Sequence, residues 1–391
     1  MILAVIRANN FRNETRLSGV PLRRALVLSL AKAGVTDIVW EGVERREVAP
    51  TFKGAGPSLP RFHFGSRPSA PRERVLIVEE SDTFFEPAVF RLLLDWPVEA
   101  AIEATWDGKP AGLWIQFPSK FSPEISVELP DSQVFSTTDR LGRRRASAAL
   151  FRTVALKPTD GIYARFNKKV TARPLIAFFL RTPFSPNAVT LIGFCFALAG
   201  AFAFSRGGYG PMLAGALLGY VSALFDHADG VVARLKFQQS PLGCWLETTS
   251  DFLSYVVTFG GMSVGLFRET GNSLWLWLGG TMLAGIILSL LSEAVHRRLM
   301  TSGKNPEQYI QRLHATLEQN RKNWLARFGR KCYFVARRAF LPYAVLALVL
   351  LGQAWLLVWV VAVGANIFWL VSTYYIFSFP RSNALAPAGG Q

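Results

Sequence analysis

The first 157 residues alternate short apolar runs with polar turns, which is the pattern of an α/β domain. The elements that this pattern predicts are, in chain order, a strand at 2–6, a helix at 22–33, strands at 38–40 and 75–78, a helix at 87–94 and a strand at 112–117. The first three form a strand–helix–strand unit. The opening apolar run ends at Arg7, too soon for the apolar core of a signal peptide, so we expect this domain to stay in the cytoplasm.

Long apolar runs dominate the rest of the chain. Residues 158–182 mix basic with aromatic and aliphatic side chains, which predicts an amphipathic juxtamembrane helix, with an ordinary surface helix as the alternative. Apolar runs then occur at 188–204, 212–225, 244–267, 274–295 and 340–379. A span needs roughly 20 residues, so the last run can form two spans around Gly352 and Gln353. The pattern predicts an all-α membrane domain of six transmembrane helices over 183–380, with a tail at 381–391.

The composition agrees with a membrane portion, because 50% of the 391 residues are hydrophobic and the mean hydropathy is +0.24. These values argue against a disordered chain and against a wholly soluble acidic enzyme. The net charge is +16, which implies an anionic partner. Residues 297–338 are strongly basic, and by the positive-inside rule both termini would face the cytoplasm from the inner membrane. A basic loop beside membrane helices usually marks orientation, so we expect membrane lipids and no nucleic acid as partners.

Four acidic residues are concentrated in one short part of the apolar half: Asp226, Asp229, Glu247 and Asp251. An acid in a membrane helix costs about 2.5–3.5 kcal/mol, so the four need compensation. Spacings of three and four residues place each successive pair on one helical face. Two such faces would form an oxygen-lined cage, which favours Mg²⁺ or Mn²⁺. The alternative is that the acids pair with Arg234 and Lys236 at the membrane surface.

The residues between the acids suit a phosphate ligand beside the metal. Gly230 and Ala233 keep one helix face bare, Gly243 does the same on the next helix, and Arg234 offers a fixed cation. Together with the acids they predict a site for a metal-bound diphosphate.

The order of these residues resembles the signature of the CDP-alcohol phosphotransferase family. The sequence reads Asp226-His-Ala-Asp-Gly-Val-Val-Ala-Arg234, then eight residues to Gly243, three to Glu247 and three to Asp251. Glu247 departs from the family pattern, which has Asp there. The start of the first predicted span, Pro186-Asn-Ala-Val-Thr190, is also similar to that family, and the likeness extends over roughly residues 160–380.

The resemblance implies a transferase that moves a phosphoalcohol from a CDP-linked donor to an acceptor hydroxyl and releases CMP. The four acids would hold one or two metal ions, and Asp251 would also deprotonate the acceptor. Gly230, Ala233, Arg234 and Gly243 would contact the CDP moiety. The acceptor would be a polyol or polyol phosphate. We expect CDP-diacylglycerol as the donor and phospholipid biosynthesis as the process, with a soluble CDP-polyol as the alternative.

The N-terminal domain has a weaker likeness. Residues 16–39 resemble the opening of sugar-nucleotide pyrophosphorylase-like nucleotidyltransferases, which have a Rossmann-like fold. The junction at 157–161 resembles the one in bifunctional inositol-phosphate cytidylyltransferase/phosphotransferase proteins. Those enzymes cradle phosphates in a Gly-rich loop, whereas residues 7–13 contain no glycine. We therefore predict a catalytically degenerate nucleotidyltransferase-like domain over 1–157.

Two alternatives to this function stay open on the sequence alone: a bifunctional enzyme that makes its own CDP-linked donor, and a non-catalytic membrane homologue. Two further sites are predicted. Arg297 and Arg298 would bind an anionic acceptor, or else only anchor their helix in lipid headgroups. The glycine pairs 215/219 and 261/265 allow close helix packing, either within the chain or in a homodimer.

Overall fold

The structure is a computed structural model of the 391-residue chain. It describes residues 3–7, 15–52, 54–56, 59–65, 75–79, 81–97, 100–116, 123–157, 160–300 and 340–378. The chain forms two compact units. The first comprises residues 1–190 and 225–247, and the second comprises 191–224 and 248–391. The predicted domain boundary after residue 157 stays a prediction.

A seven-stranded mixed sheet is the centre of the first unit. The strands of the chain are β1 (Leu3–Arg7), β2 (Arg16–Leu17), β3 (Val20–Pro21), β4 (Asp37–Glu41), β5 (Arg61–Phe64), β6 (Val75–Glu79), β7 (Thr83–Phe85), β8 (Ile102–Trp106), β9 (Lys109–Gln116), β10 (Ile125–Glu128) and β11 (Val134–Ser136). The sheet order is β10-β8-β9-β6-β1-β4-β5. Its central strands β6, β1, β4 and β5 run parallel, while β9 is antiparallel to both β6 and β8. Parallel strands buried on both faces account for the continuous apolar runs of β1, β4 and β6.

Four helices accompany the sheet: α1 (Leu22–Ala33), α2 (Arg45–Val48), α3 (Pro87–Leu94) and α4 (Arg140–Leu150). The predicted α/β class is confirmed, and the bounds of each strand and helix predicted in residues 1–157 lie within about three residues of those of an observed one. Helix α1 ends at Gly34, which has φ +103° and whose N–H bonds to the carbonyl of Ala31. The pattern missed α4, whose N-terminus is capped by the Asp139 carboxylate accepting from the N–H of Gly142 at 3.2 Å.

The juxtamembrane segment differs from the single helix predicted there. It forms α5 (Ile162–Phe166), a π-helical turn at Asn167–Thr171, and α6 (Arg173–Arg181). Lys168, one of the basic residues of this segment, is 8% exposed and pairs with Asp160.

Six further helices make up the remaining described chain: α7 (Pro186–Ser205), α8 (Tyr209–Leu235), α9 (Pro241–Thr270), α10 (Leu274–Met300), α11 (Leu341–Leu350) and α12 (Ala354–Ser378). A helical C-terminal region is thus confirmed. Within the described residues, only Pro186–Ser205 is long and apolar enough to cross a membrane by length and composition. Shorter apolar segments are Leu274–Ser289, Leu341–Leu350 and Ala354–Ile367. Six transmembrane spans remain a prediction.

Glycines bring three helices, α7, α8 and α9, into close contact in the second unit. A Cβ added to Gly261 of α9 would overlap the carbonyl oxygen of Ala201 of α7, and one added to Gly265 would overlap that of Phe204. An added Cβ on Gly215 of α8 would lie 2.9 Å from the carbonyl oxygen of Gly200. These three glycines pack within the chain, which is one of the two predicted uses; a homodimer face stays a prediction.

Candidate metal and phosphate site

Three of the four predicted acids lie together where α8 ends and α9 begins. Asp226 and Asp229 are on α8 and Glu247 is on α9, and each contributes one carboxylate oxygen to a group within 4.8 Å of one another. The short turn at residues 236–240 reverses the chain between the two helices. All three acids belong to the first unit.

Asp229 is the most enclosed of the three acids, with 2% of its surface exposed. The hydroxyl of Thr190 on α7 donates to its Oδ2 at 2.5 Å. That hydroxyl also approaches the carbonyl of Pro186, 3.2 Å away within the same helix. The Thr190 bond holds one Asp229 oxygen in a fixed direction, as supporting residues do around metal ligands.

Gly230 faces a cation and an anion. A Cβ added there would meet only the Arg234 guanidinium at 3.5 Å and the Glu247 carboxylate at 3.8 Å. Nη2 of Arg234 donates to the carbonyl of Ala155 at 2.7 Å. This bond holds the Arg234 side chain against the π-helical turn Phe151–Ala155 that follows α4. A group bound beside Gly230 would contact both Arg234 and Glu247.

Gly243 in the first turn of α9 is packed more tightly. An added Cβ would lie 3.0 Å from Oδ1 of Asn187 and 3.1 Å from Oγ of Ser240. The Ser240 hydroxyl accepts a hydrogen bond from the Gly243 N–H at 3.0 Å. The absence of a side chain at 243 therefore allows the start of α9 to approach the start of α7.

A buried ion pair lies in the same unit. Lys168 Nζ contacts both carboxylate oxygens of Asp160, at 2.7 and 2.8 Å, and the two side chains are 10% and 9% exposed. Burial alone would raise the pKa of Asp160, but hydrogen bonds from Lys168 and from the Lys157 N–H, together with the charges of Lys168 and Arg234, hold it below its usual value. The pair fixes the junction between the sheet and the juxtamembrane helices.

Lys236 was a candidate partner for the acids, and its bonds go elsewhere. Its ammonium donates to the carbonyls of Thr182 and Phe184, at 2.9 and 2.8 Å, just beyond α6. Burial, with the nearby charge of Arg24, lowers the pKa of Lys236. This geometry weakens the alternative in which Lys236 neutralises the acidic cluster.

The other predicted site residues lie as follows. Asp251 is half-buried, one helical turn after Glu247 on α9, and falls in the second unit. Ala233 is half-buried on α8. Arg297 and Arg298 are in the last turn of α10, but their side chains lie outside the described part of the chain, as do residues 8–13 of the stretch that corresponds to the phosphate loop.

Sequence reasoning did not single out Thr190, Asn187, Asp160 or the Ala155 carbonyl. The first two belong to the Pro186–Thr190 segment whose likeness to the family was noted, so a signal was present. The contact of Arg234 with Ala155 joins residues 79 positions apart, and no local pattern could have revealed it.

The donor set fits a divalent cation. Three ionised carboxylates within 4.8 Å would repel one another by roughly 3 kcal/mol or more per pair at an effective dielectric constant of about 20. A Mg²⁺ or Mn²⁺ ion prefers oxygen ligands and would turn this repulsion into attraction. A phosphate bound to such an ion beside the bare backbone of Gly230 would contact Arg234.

Part of the chain resembles known proteins. Residues 184–317 match the model of the CDP-alcohol phosphatidyltransferase family. The bifunctional IPC transferase and DIPP synthase of Rubrobacter xylanophilus is 30% identical over 134 residues, which are 34% of this chain and 29% of that protein. The archaetidylinositol phosphate synthase of Methanothermobacter thermautotrophicus is 30% identical over 117 residues, which are 29% of this chain and 58% of that protein.

A crystal structure of Mycobacterium tuberculosis phosphatidylinositol phosphate synthase with CDP-DAG bound aligns with 56% of this chain and 99% of that chain, at 20% identity and a TM-score of 0.36. The chain spans less than two thirds of the length of the curated relatives named above. The resemblance to this family inferred from the sequence is confirmed for the matched residues.

Proposed function

We propose that the protein is an integral membrane CDP-alcohol phosphotransferase that transfers a phosphoalcohol from a CDP-linked donor to an acceptor hydroxyl and releases CMP. The observation that carries the proposal is the convergence of Asp226, Asp229 and Glu247 within 4.8 Å. That cluster lies inside the segment that matches the family model.

Each predicted residue has a role in this proposal. Asp226, Asp229, Glu247 and Asp251 would hold Mg²⁺ or Mn²⁺, which when bound neutralises charge on the diphosphate and on departing CMP. Arg234, held by the Ala155 carbonyl at 2.7 Å, binds a phosphate oxygen of the donor. Gly230, Ala233 and Gly243 leave room for the CDP moiety.

The reaction is a displacement at the phosphorus that carries the donor alcohol. The acceptor oxygen bonds to this phosphorus, and the bond from phosphorus to the oxygen shared with CMP breaks. The electron pair leaves with CMP, and the acceptor proton moves to the carboxylate of Asp251. Arg234 contacts the diphosphate and so favours the charge that develops on the leaving group.

The proposal also places the helices, the termini and the acidic cluster relative to the membrane. We place six spans over residues 183–380, with both termini and the sheet domain in the cytoplasm and the acids at the cytoplasmic ends of α8 and α9. A donor with acyl chains then reaches the site from the bilayer, so CDP-diacylglycerol is the proposed donor and a polyol or polyol phosphate the acceptor. Arg297 and Arg298, at the end of α10, are the proposed cations for an anionic acceptor.

The experiment that tests the function is CMP release by the purified protein from radiolabelled CDP-diacylglycerol, with a panel of polyols and polyol phosphates and a matching assay of soluble CDP-polyols. Activity should require Mg²⁺ or Mn²⁺. It should be lost in Asp229→Asn and in Asp251→Asn, since each change removes a charged ligand and keeps the side-chain volume.

Glu269→Gln is the matched control, because Glu269 is an exposed acid at the far end of α9 that accepts from the Gly208 N–H. It should keep wild-type turnover. Full turnover by both asparagine variants in the presence of a chelator would refute the proposal of a metal-dependent transferase.

A further inference from the structure

The turn that joins the two acid-bearing helices ends α8 in an unusual way. The N–H of Gln238 bonds to the carbonyl of Ala233 at 2.8 Å, and the N–H of Phe237 bonds to that of Arg234 at 3.2 Å. This pair of bonds is the Schellman motif, whose first residue beyond the helix cap adopts the left-handed conformation and is usually glycine. Here that residue is Phe237, with φ +55°.

The same chain ends α1 with the same motif and a glycine. Val35 N–H bonds to Leu30 and Gly34 N–H to Ala31, both at 3.1 Å, and Gly34 has φ +103°. A left-handed phenylalanine is strained where glycine would not be, and such strain persists only when surrounding contacts over-determine it. The contacts of Phe237 should therefore explain why the ring is present.

Those contacts come from the sheet domain. Phe237 is 4% exposed, and its ring centroid lies 6.2 Å from that of Phe52. Phe52 packs edge-on against Phe62 of β5 at 5.0 Å, and Phe62 packs edge-on against Trp40 of β4 at 5.8 Å. A continuous row of aromatic rings therefore connects the central sheet to the turn.

Backbone contacts reinforce the row. The N–H of Gly56 donates to the carbonyl of Phe237, and a Cβ added to Gly56 would lie 2.9 Å from the carbonyl oxygen of Gln239. On the other side Lys236 is bonded to the carbonyls that follow α6. The turn is thus held by the sheet domain at Phe237 and by the juxtamembrane segment at Lys236.

We infer that Phe237 is a positioning residue through which the sheet domain sets the spacing of the carboxylates on α8 and α9. Asp229 precedes the turn and Glu247 follows it, so the conformation of residues 236–240 fixes how closely the two acids approach. The sheet domain then supports the metal site of the neighbouring helices whether or not it retains any nucleotide chemistry. This inference rests on the proposed function only for the identity of the bound ion, which is Mg²⁺ or Mn²⁺.

The test measures Mn²⁺ binding directly, by electron paramagnetic resonance on the full chain in lipid nanodiscs without any CDP compound. Phe237→Gly relieves the backbone strain and removes the ring, and Phe52→Ala removes the partner ring. Each should raise the Mn²⁺ Kd by about fivefold or more, as loss of supporting residues does at other metal sites. The double variant should bind Mn²⁺ no more weakly than the single variant with the higher Kd, because both changes break the same contact between Phe52 and Phe237.

Phe84→Ala is the matched control. Phe84 is a buried ring of the same domain, 1% exposed and stacked on Phe135, and neither residue is part of the row. It should leave the Mn²⁺ Kd within twofold of wild type even if the domain loses stability. The CMP-release assay should show lower kcat for the Phe52 and Phe237 variants at subsaturating Mn²⁺, with partial recovery at high Mn²⁺.

Wild-type Mn²⁺ affinity in folded Phe237→Gly and Phe52→Ala would overturn the inference, and so would an equal loss in Phe84→Ala. If Phe237→Gly does not fold, Phe52→Leu, which keeps an apolar side chain, takes its place. An Mn²⁺ Kd raised by about fivefold or more in Phe52→Leu would support the inference, and a wild-type Kd would overturn it. A wild-type chain that binds Mn²⁺ but releases no CMP would refute the proposed function and leave the positioning result standing.

Discussion

At the scale of single residues, Glu247 is the one departure from the family pattern in the acidic cluster. Its carboxylate still comes within 4.8 Å of the oxygens of Asp226 and Asp229. We expect Glu247→Asp to keep activity and even to raise it, because aspartate restores the pattern with the same charge and ligand type. The measurement is kcat/KM for CMP release across a Mg²⁺ titration, beside Glu247→Gln as a charge control that should lose activity. Complete loss in Glu247→Asp would mean that this site needs the longer side chain.

The Asp160–Lys168 pair gives a second prediction at this scale. Removing one partner leaves a buried charge, so Lys168→Met should lower the free energy of unfolding by about 3–5 kcal/mol. The double change Asp160→Asn with Lys168→Met should recover most of this loss, because neither charge remains. Chemical denaturation of the three proteins measures the difference, and a double variant as unstable as Lys168→Met would contradict it.

The same pair has a defined pH dependence. The pKa of Asp160 is held below its usual value in the folded protein, whereas an unfolded aspartate titrates near about 3.9. The stability from this charge is therefore complete above about pH 4 and is lost as the pH falls through the folded-state pKa. The difference in unfolding temperature between wild type and Asp160→Asn should become smaller below that pH. A difference that stays constant would show that the charge of Asp160 does not stabilise the fold.

At the scale of elements, neighbouring glycines of α9 differ sharply in their surroundings. A Cβ on Gly261 would overlap the Ala201 carbonyl, whereas nothing lies within 4 Å of one on Gly260. We expect Gly261→Ala to destabilise the second unit by about 1–3 kcal/mol through overpacking, and Gly260→Ala to have little effect. Thermal unfolding of the two variants in one detergent provides the comparison. Equal midpoints would show that α7 and α9 separate easily.

The helices and strands also show how much of the fold local sequence patterns can predict. Apolar runs predicted β1, α1, β4 and β6 because parallel strands and a packed helix bury continuous or periodic apolar faces. The spacings of Asp226 with Asp229 and of Glu247 with Asp251 predicted one acidic face on each of two helices, and the first three of these acids come together. The π-helical turn at Asn167–Thr171, which contains the buried Lys168, was missed. The row of rings from Trp40 to Phe237 was missed because its members are distant in sequence.

At the scale of the whole molecule, the sheet domain has a parallel centre formed by β6, β1, β4 and β5, and its likeness to nucleotidyltransferases stays a prediction. The stretch at residues 7–13 nevertheless has no glycine to bring backbone amides around a phosphate. We expect the full-length protein to release no pyrophosphate from CTP with any polyol phosphate and to show no CTP binding by calorimetry. Pyrophosphate release above that of a heat-inactivated sample would restore the bifunctional alternative.

The division of the first unit into two separate stretches of chain has a consequence for biogenesis. A ribosome that has completed residue 190 must still synthesise residues 191–224, which belong to the other unit, before the stretch 225–247 can join the first. At about 5–20 residues per second this interval lasts roughly 2–7 s. During that time Phe52 and Phe62 lack the Phe237 ring that completes their row. Chaperones would therefore meet a nascent first unit in which the apolar face that packs against Phe237 is still exposed.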